Sequence, residues 1–187
     1  MTNVVVRRRR LTRISQGDVF RDVECIEHAV EKRGIVEVSK IIFPLVVVLT
    51  QDCDLEQDFN GRAKDKQGNS LLSVLVVPLY NAEHVFTGEH LSVLKITGTT
   101  INKNKTEGKS LIQNERPRYH YIDFPVNIPV VASIADFKHY FSVHTSYLEK
   151  IRAKSCVCRV GDLFREDLSQ RFAAYLGRIG LPTITAA

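Results

Sequence analysis

Gln51, Asp52, Cys53 and Asp54 follow directly on the apolar run Val46, Val47, Val48 and Leu49. A strand fixes the position of polar groups set just past its end, so such a cluster is a natural place to build a site. Two chemical readings fit these four residues. In the first, Cys53 is a nucleophile, which requires a base and an oxyanion donor. His120 is the preferred base, because Arg118, Tyr119 and Tyr121 around it read as a strand that would hold the ring in place. His139 and His144 are alternatives. Cys53, Asp54 and His120 then form the catalytic set, although two adjacent carboxylates oppose the charge of a thiolate. In the second reading Cys53 is small and buried, and Asp54 accepts hydrogen bonds from backbone N–H groups of the following loop.

Metal chemistry is poorly served. Asp52, Asp54, Glu56 and Asp58 alternate like the start of a calcium loop, but Gln57 stands where glycine is needed and Ala63 where the last glutamate is needed. Only a looser magnesium site is compatible with these acids. Cys156 and Cys158 share one strand face, whereas zinc sites use a longer gap and a second ligand pair, which Cys25 and Cys53 could supply only through tertiary proximity. No metal and no cofactor is assigned.

The 187 residues carry a net charge of +5, and it is localised. Arg7, Arg8, Arg9, Arg10 and Arg13 lie in a stretch without acids, while the remainder carries 21 residues of each sign. A short arginine-rich arm suits phosphates, and it equally suits a solvated terminus. Arg116, Arg118 and Tyr119, with His120 and Tyr121, mix cations and rings in the way that stacks bases and holds phosphates; an ordinary amphipathic strand has the same pattern. Nucleic acid is therefore the expected partner of the arm and of this strip. Val4, Val5 and Val6 precede the arginines, the reverse of a signal peptide. The longest apolar run, 41–49, is well short of the roughly 20 residues that cross a bilayer. Cytoplasmic location, free thiols and no membrane contact are the expectations.

The elements that must position these groups read mostly as strands. Apolar content is 44% and charged content 25%, ordinary for a globular chain of one domain. Strands are expected over residues 19–26, 35–38, 45–49, 70–79, 118–122 and 129–134, with two more near 137–143 and 153–160. Residues 51–69 read as a long loop, 82–94 as a short helix interrupted by Gly88, and 97–118 as a flexible surface insertion. The clearest helix is 162–180. Phe164, Leu168, Phe172, Tyr175 and Ile179 recur at helical spacing, Asp162 is placed to cap it, and Gly180 and Pro182 to stop it. Its stripe packs on the sheet or on a protein partner.

Three pieces resemble the MazF/PemK-like toxins, small SH3-like β-barrels. They are Gly17, Asp18, Val19 and Phe20; Pro44 through the run to Thr50; and Leu75, Val76, Val77 and Pro78. The resemblance covers residues 17–80. It implies an α+β fold: an SH3-like, mostly antiparallel barrel with core strands in 17–80, an elaboration over 81–160 and the C-terminal helix, preceded by a basic arm over 1–16. Phe43 stands where that family has arginine, and Leu79 and Tyr80 where a hydroxyl residue follows. The resemblance therefore implies the fold and not the ribonuclease activity. The 51–54 cluster together with residues 168–182 is also similar to a group of bacterial proteins without assigned activity. The combined expectation is an accessory, non-catalytic module of a bacterial toxin or phage-defence type system that binds nucleic acid or a protein. The alternative is a hydrolase or nuclease built on Cys53, Asp54 and His120.

Overall fold

The computed structural model describes residues 6–7, 12–63, 68 and 70–178. Among the described residues, eight strands and five helices are α+β in arrangement. The strands are β1 (Val6–Arg7), β2 (Asp18–Lys32), β3 (Ile35–Val48), β4 (Ser73–Asn81), β5 (Tyr119–Ile122), β6 (Ser133–Asp136), β7 (Phe141–His144) and β8 (Cys156–Val160). The helices are α1 (Asp52–Ala63), α2 (Ala82–Thr87), α3 (Thr106–Ile112), α4 (Thr145–Ser155) and α5 (Asp162–Leu176). All pairings are antiparallel, in the order β1-β8-β2-β3-β4-β6-β5, with β7 on β4. The sheet curls into a half-barrel, as the sequence leads one to expect, and α5 packs on it. Among the described residues no helix is long and apolar enough to cross a membrane.

The run around Val46–Val48 behaves as anticipated for a strand covered on both faces. Val47 packs into one cluster with Val19, Val77, Phe137, Leu168 and Phe172. Val46 and Val48 point the other way, with Phe20, Val74, Val76 and Leu148. Period-two alternation thus feeds two cores from one strand. A third cluster, around Phe86, Leu111 and Ile134, lies under α2 and α3.

Several expectations are corrected. Residues 52–63 form helix α1 rather than a loop. Its inward positions Leu55, Asp58 and Gly61 are buried at spacing of three, but only one of them is apolar, so no stripe shows in the sequence. Residues 97–118 are not a loose insertion. Leu111 on α3 is fully buried, and a Cβ on Gly108 would collide with the backbone of Asn102 and Lys103. The strands expected near 137–143 and 153–160 are shorter: a 3-10 turn occupies Phe137–His139, and α4 runs to Ser155 before β8 begins. The arm does not extend to residue 16, because Ile14, Ser15 and Gln16 are buried. α5 ends at Leu176 against Gly177, and Gly161 occupies its N-cap while Asp162 sits in the first turn. Ile179, Gly180 and Pro182 lie outside the described residues.

β2 and β3 form one long hairpin. Its turn residues Arg33 and Gly34 both have positive φ, 54° and 78°, as a tight turn matched to strand twist requires. Only its base joins the half-barrel. From Ile26 to Lys32 and from Ile35 to Val38 every residue is exposed.

Candidate functional site

The 51–54 cluster sits where three elements meet: the root of the arm, the N-terminus of α1 and the first turns of α5. Asp52 is its organiser. Arg13 grips the carboxylate with two nitrogens, at 3.1 and 3.0 Å, the Gln16 N–H donates to it at 3.2 Å, and Arg165 Nη1 lies 3.5 Å away. Burial pushes the Asp52 carboxyl up, but the hydrogen bonds and charge of Arg13, with Arg165 and Gln16, outweigh it and hold the group below its ordinary value. A second pair lies beneath. Asp18, with no exposed surface, is held by Arg159 at 2.5 and 3.0 Å and by the Ser15 N–H at 2.8 Å, while Arg159 also donates to the Arg13 carbonyl. Burial raises the Asp18 carboxyl pKa despite Arg159. Gly17, at φ +79°, threads this junction: it donates to Val48 O and accepts from the Val160 N–H, and a Cβ there would crowd Val160.

An open polar cleft of about 350 Å³ results, lined by Gln16, Gln51, Asp52, Cys53, Arg165, Glu166, Ser169 and Gln170. Cys53 is exposed, not a buried structural thiol. Its Sγ lies 3.6 Å from Gln51 Oε1 and 3.7 Å from Asp54 Oδ1, both acceptors. The acceptor role expected of Asp54 falls instead to Asp52, for Gln16, and to Asp58, for the Leu71 N–H at 2.6 Å. Among the described residues no imidazole lines the cleft.

His120 lies on another side of α5. Successive helical residues turn by 100°, so Glu166 and Gln170 face the cleft while Asp167 and Arg171 face β5. The His120 ring is buried beside Phe137, with Nδ1 3.9 Å from Asp167 Oδ2 and without a hydrogen-bond partner. Burial, aided by the Arg171 charge, lowers its pKa to about 3. The structure thus places Cys53 at the cleft, Asp54 beside it but outside the lining, and His120 in the core next to the basic strip.

That strip is built more elaborately than its residues suggest. The Tyr119 ring lies under two guanidinium groups, Arg118 at 4.9 Å and Arg116 at 5.7 Å. Arg118 is itself fixed by two short bonds, 2.8 and 2.6 Å, to the buried carboxylate of Asp136. Arg171 reaches up from α5 and donates to the carbonyls of Arg116 and Tyr119, clamping the segment. The surface continues onto α5, where Tyr175 stacks near Phe137 and carries Arg178 at 4.2 Å, and to Tyr140 on Phe172. Asp136 also lies 3.5 Å from His139 Nδ1, which meets the Tyr80 hydroxyl at 3.1 Å. Burial keeps His139 and His90 on the neutral side of the ordinary imidazole value and raises Tyr80.

Of the expected contacts, Arg116, Arg118 and Tyr119 therefore come together. Arg13 is committed to Asp52. Arg7 contributes its backbone to β1, opposite Arg159, and Arg8, Arg9 and Arg10 lie outside the described residues. Sequence reading missed Asp136, Arg171, Tyr175 and Arg178 as parts of the strip. Each is separated from it by many residues and is joined only by β6 and α5. No protein-family model, curated protein or solved structure matches the chain.

Proposed function

We propose that the chain is an accessory nucleic-acid-binding module, of the kind that serves bacterial toxin or phage-defence systems, and that it holds single-stranded nucleic acid along the Arg116–Tyr119–Tyr175–Arg178 surface. The carrying observation is the guanidinium-on-ring stacking: Arg116 and Arg118 over Tyr119, and Arg178 over Tyr175. Guanidinium groups stacked on aromatic rings offer flat faces to bases and positive charge to phosphates, without sequence preference. The buried Asp136 and the Arg171 clamp support this by fixing the platform in advance, which lowers the ordering cost of binding. The basic arm adds long-range attraction.

The hydrolase alternative would require His120 to reach Cys53, and the two lie against different faces of α5. Its only favourable observation is the exposed thiol.

Fluorescence anisotropy with a labelled single-stranded oligonucleotide tests the reading. Tyr119→Ala should weaken binding by about 5- to 100-fold, as loss of one stacking contact implies. Arg116→Ala should lessen the salt dependence by roughly one phosphate contact. Binding unaffected by both substitutions refutes the strip as the interface.

A further inference from the structure

The β2–β3 hairpin leaves the half-barrel after Glu24, whose N–H donates to the Tyr147 hydroxyl at 3.1 Å, and returns at Phe43, which packs on Phe141. Eight residues of β2, from Cys25 to Lys32, extend beyond that base, about 25 Å of ribbon at the rise of a strand. The register of β2 with β8 covers Asp18, Val19 and Phe20, and that of β3 with β4 covers Val46, Val47 and Val48. Among the described residues both outer edges of the arm therefore run without a strand neighbour. A two-stranded ribbon without a covering layer is marginal in water.

Its side chains are not those of a solvated arm. Opposed residues in an antiparallel pair share a face. The pairings Glu24 with Ile42, Ile26 with Lys40, Ala29 with Val38 and Glu31 with Val36 put Ile26, Val36, Val38 and Ile42 on one face. These four are exposed by 65, 63, 51 and 52%. The same face carries an internal ion pair, Lys40 Nζ to Glu24 Oε1 at 2.6 Å. Charge at its base is thus neutralised within the ribbon, Glu31 adds one acid near the tip of the same face, and the four exposed aliphatic side chains call for an apolar covering.

We propose that this face is covered by the same face of a second copy of the chain, the two arms stacking antiparallel about a two-fold axis. Such an isologous contact satisfies both ribbons at once. A ribbon 25 Å long and two strands wide covers on the order of 500 Å² per copy once side-chain relief is included, about 1,000 Å² in all, which is the lower bound for a specific interface. The dimer is therefore of moderate strength and dissociates on dilution into the micromolar range.

Sedimentation velocity of the full chain over a concentration series, about 1 to 100 µM, tests this. The expected result is a concentration-dependent monomer–dimer equilibrium. Val38→Glu places like charges against each other across the axis and should raise the dissociation constant at least 30-fold, with an unchanged circular dichroism spectrum. Val38→Ala should give a smaller shift, and Leu72→Glu, on the exposed body, should dimerise like the parent. A parent protein that stays monomeric throughout the series overturns the proposal and leaves the face to a different protein. So does a folded Val38→Glu variant that dimerises as well as the parent.

Discussion

Mild acid should destabilise this protein through one buried ring. His120 is neutral in the fold because burial drives its pKa to about 3, against 6.5 for an ordinary imidazole. Above pH 6.5 the ring is neutral whether the chain is folded or not, and it adds no pH dependence. Below 6.5 the unfolded chain takes up a proton that the folded chain refuses, so stability falls with pH until about pH 3. The slope is about 1.4 kcal/mol per pH unit, which amounts to about 2 kcal/mol between pH 6.5 and 5. That is a sizeable part of the roughly 5–15 kcal/mol that holds a domain together. His90 and His139 shift in the same direction, so the parent alone does not isolate the effect. Urea unfolding of the parent and of His120→Phe at pH 7.5, 6.5, 5.5 and 5.0 does. The ring of Phe stays apolar beside Phe137 and carries no titrating group. The stability difference between the two proteins should move by about 2 kcal/mol in favour of the variant as pH drops from 6.5 to 5. A difference that stays constant over that interval refutes the argument.

Three further outcomes follow from the packing. Arg159→Met leaves the fully buried Asp18 without its cation and should cost about 3–5 kcal/mol in urea unfolding, far more than removal of an exposed ion pair such as Lys32 with Glu37. Val48→Asp places an unpaired charge in the cluster of Phe20, Val76 and Leu148 and should abolish the cooperative melt, since such burial costs several kcal/mol. Iodoacetamide on the native protein should modify Cys53 and spare the buried Cys158, as read by peptide mass spectrometry, and Cys53→Ser should change stability by less than about 0.5 kcal/mol.

Strands with unbroken β-branched runs were legible because both faces are buried and every residue type agrees. Val46, Val47 and Val48 are the case in point, and the stripe Phe164, Leu168, Phe172 and Tyr175 made α5 equally plain. Helix α1 escaped because its inward face is Leu55, Asp58 and Gly61. Asp58 is buried there with Arg62 and the Leu71 N–H as partners, a tertiary solution that no periodicity records. Of the 51–54 cluster, Gln51, Asp52 and Cys53 line the cleft, and the hydrogen-bonding roles differ from those expected. Asp52 rather than Asp54 is the acceptor, since the choice depends on Arg13 and Arg165, which reach it from distant parts of the chain. Pairing of Cys53 with His120 rested on residue type and on the strand that holds the ring. Which face of α5 each one meets is set by packing angles that one-dimensional spacing does not contain. The extent of the hairpin was likewise hidden, because apolar residues outside a core look the same in sequence as those within it.

The bond between Asp18 and Arg159 spans nearly the whole chain, and it orders events in time. β8 enters the sheet between β1 and β2, so the first long strand is not closed until the last strand has been made. On the ribosome, residues 18–48 can form their hairpin early, but the carboxylate at its start has no cation until residue 159 has emerged. Contacts of such sequence separation make folding slow and late. Any fragment that stops before β8 would have to bury a lone charge or leave the base of the half-barrel open. The base of the half-barrel closes only once residue 160 is available to pair.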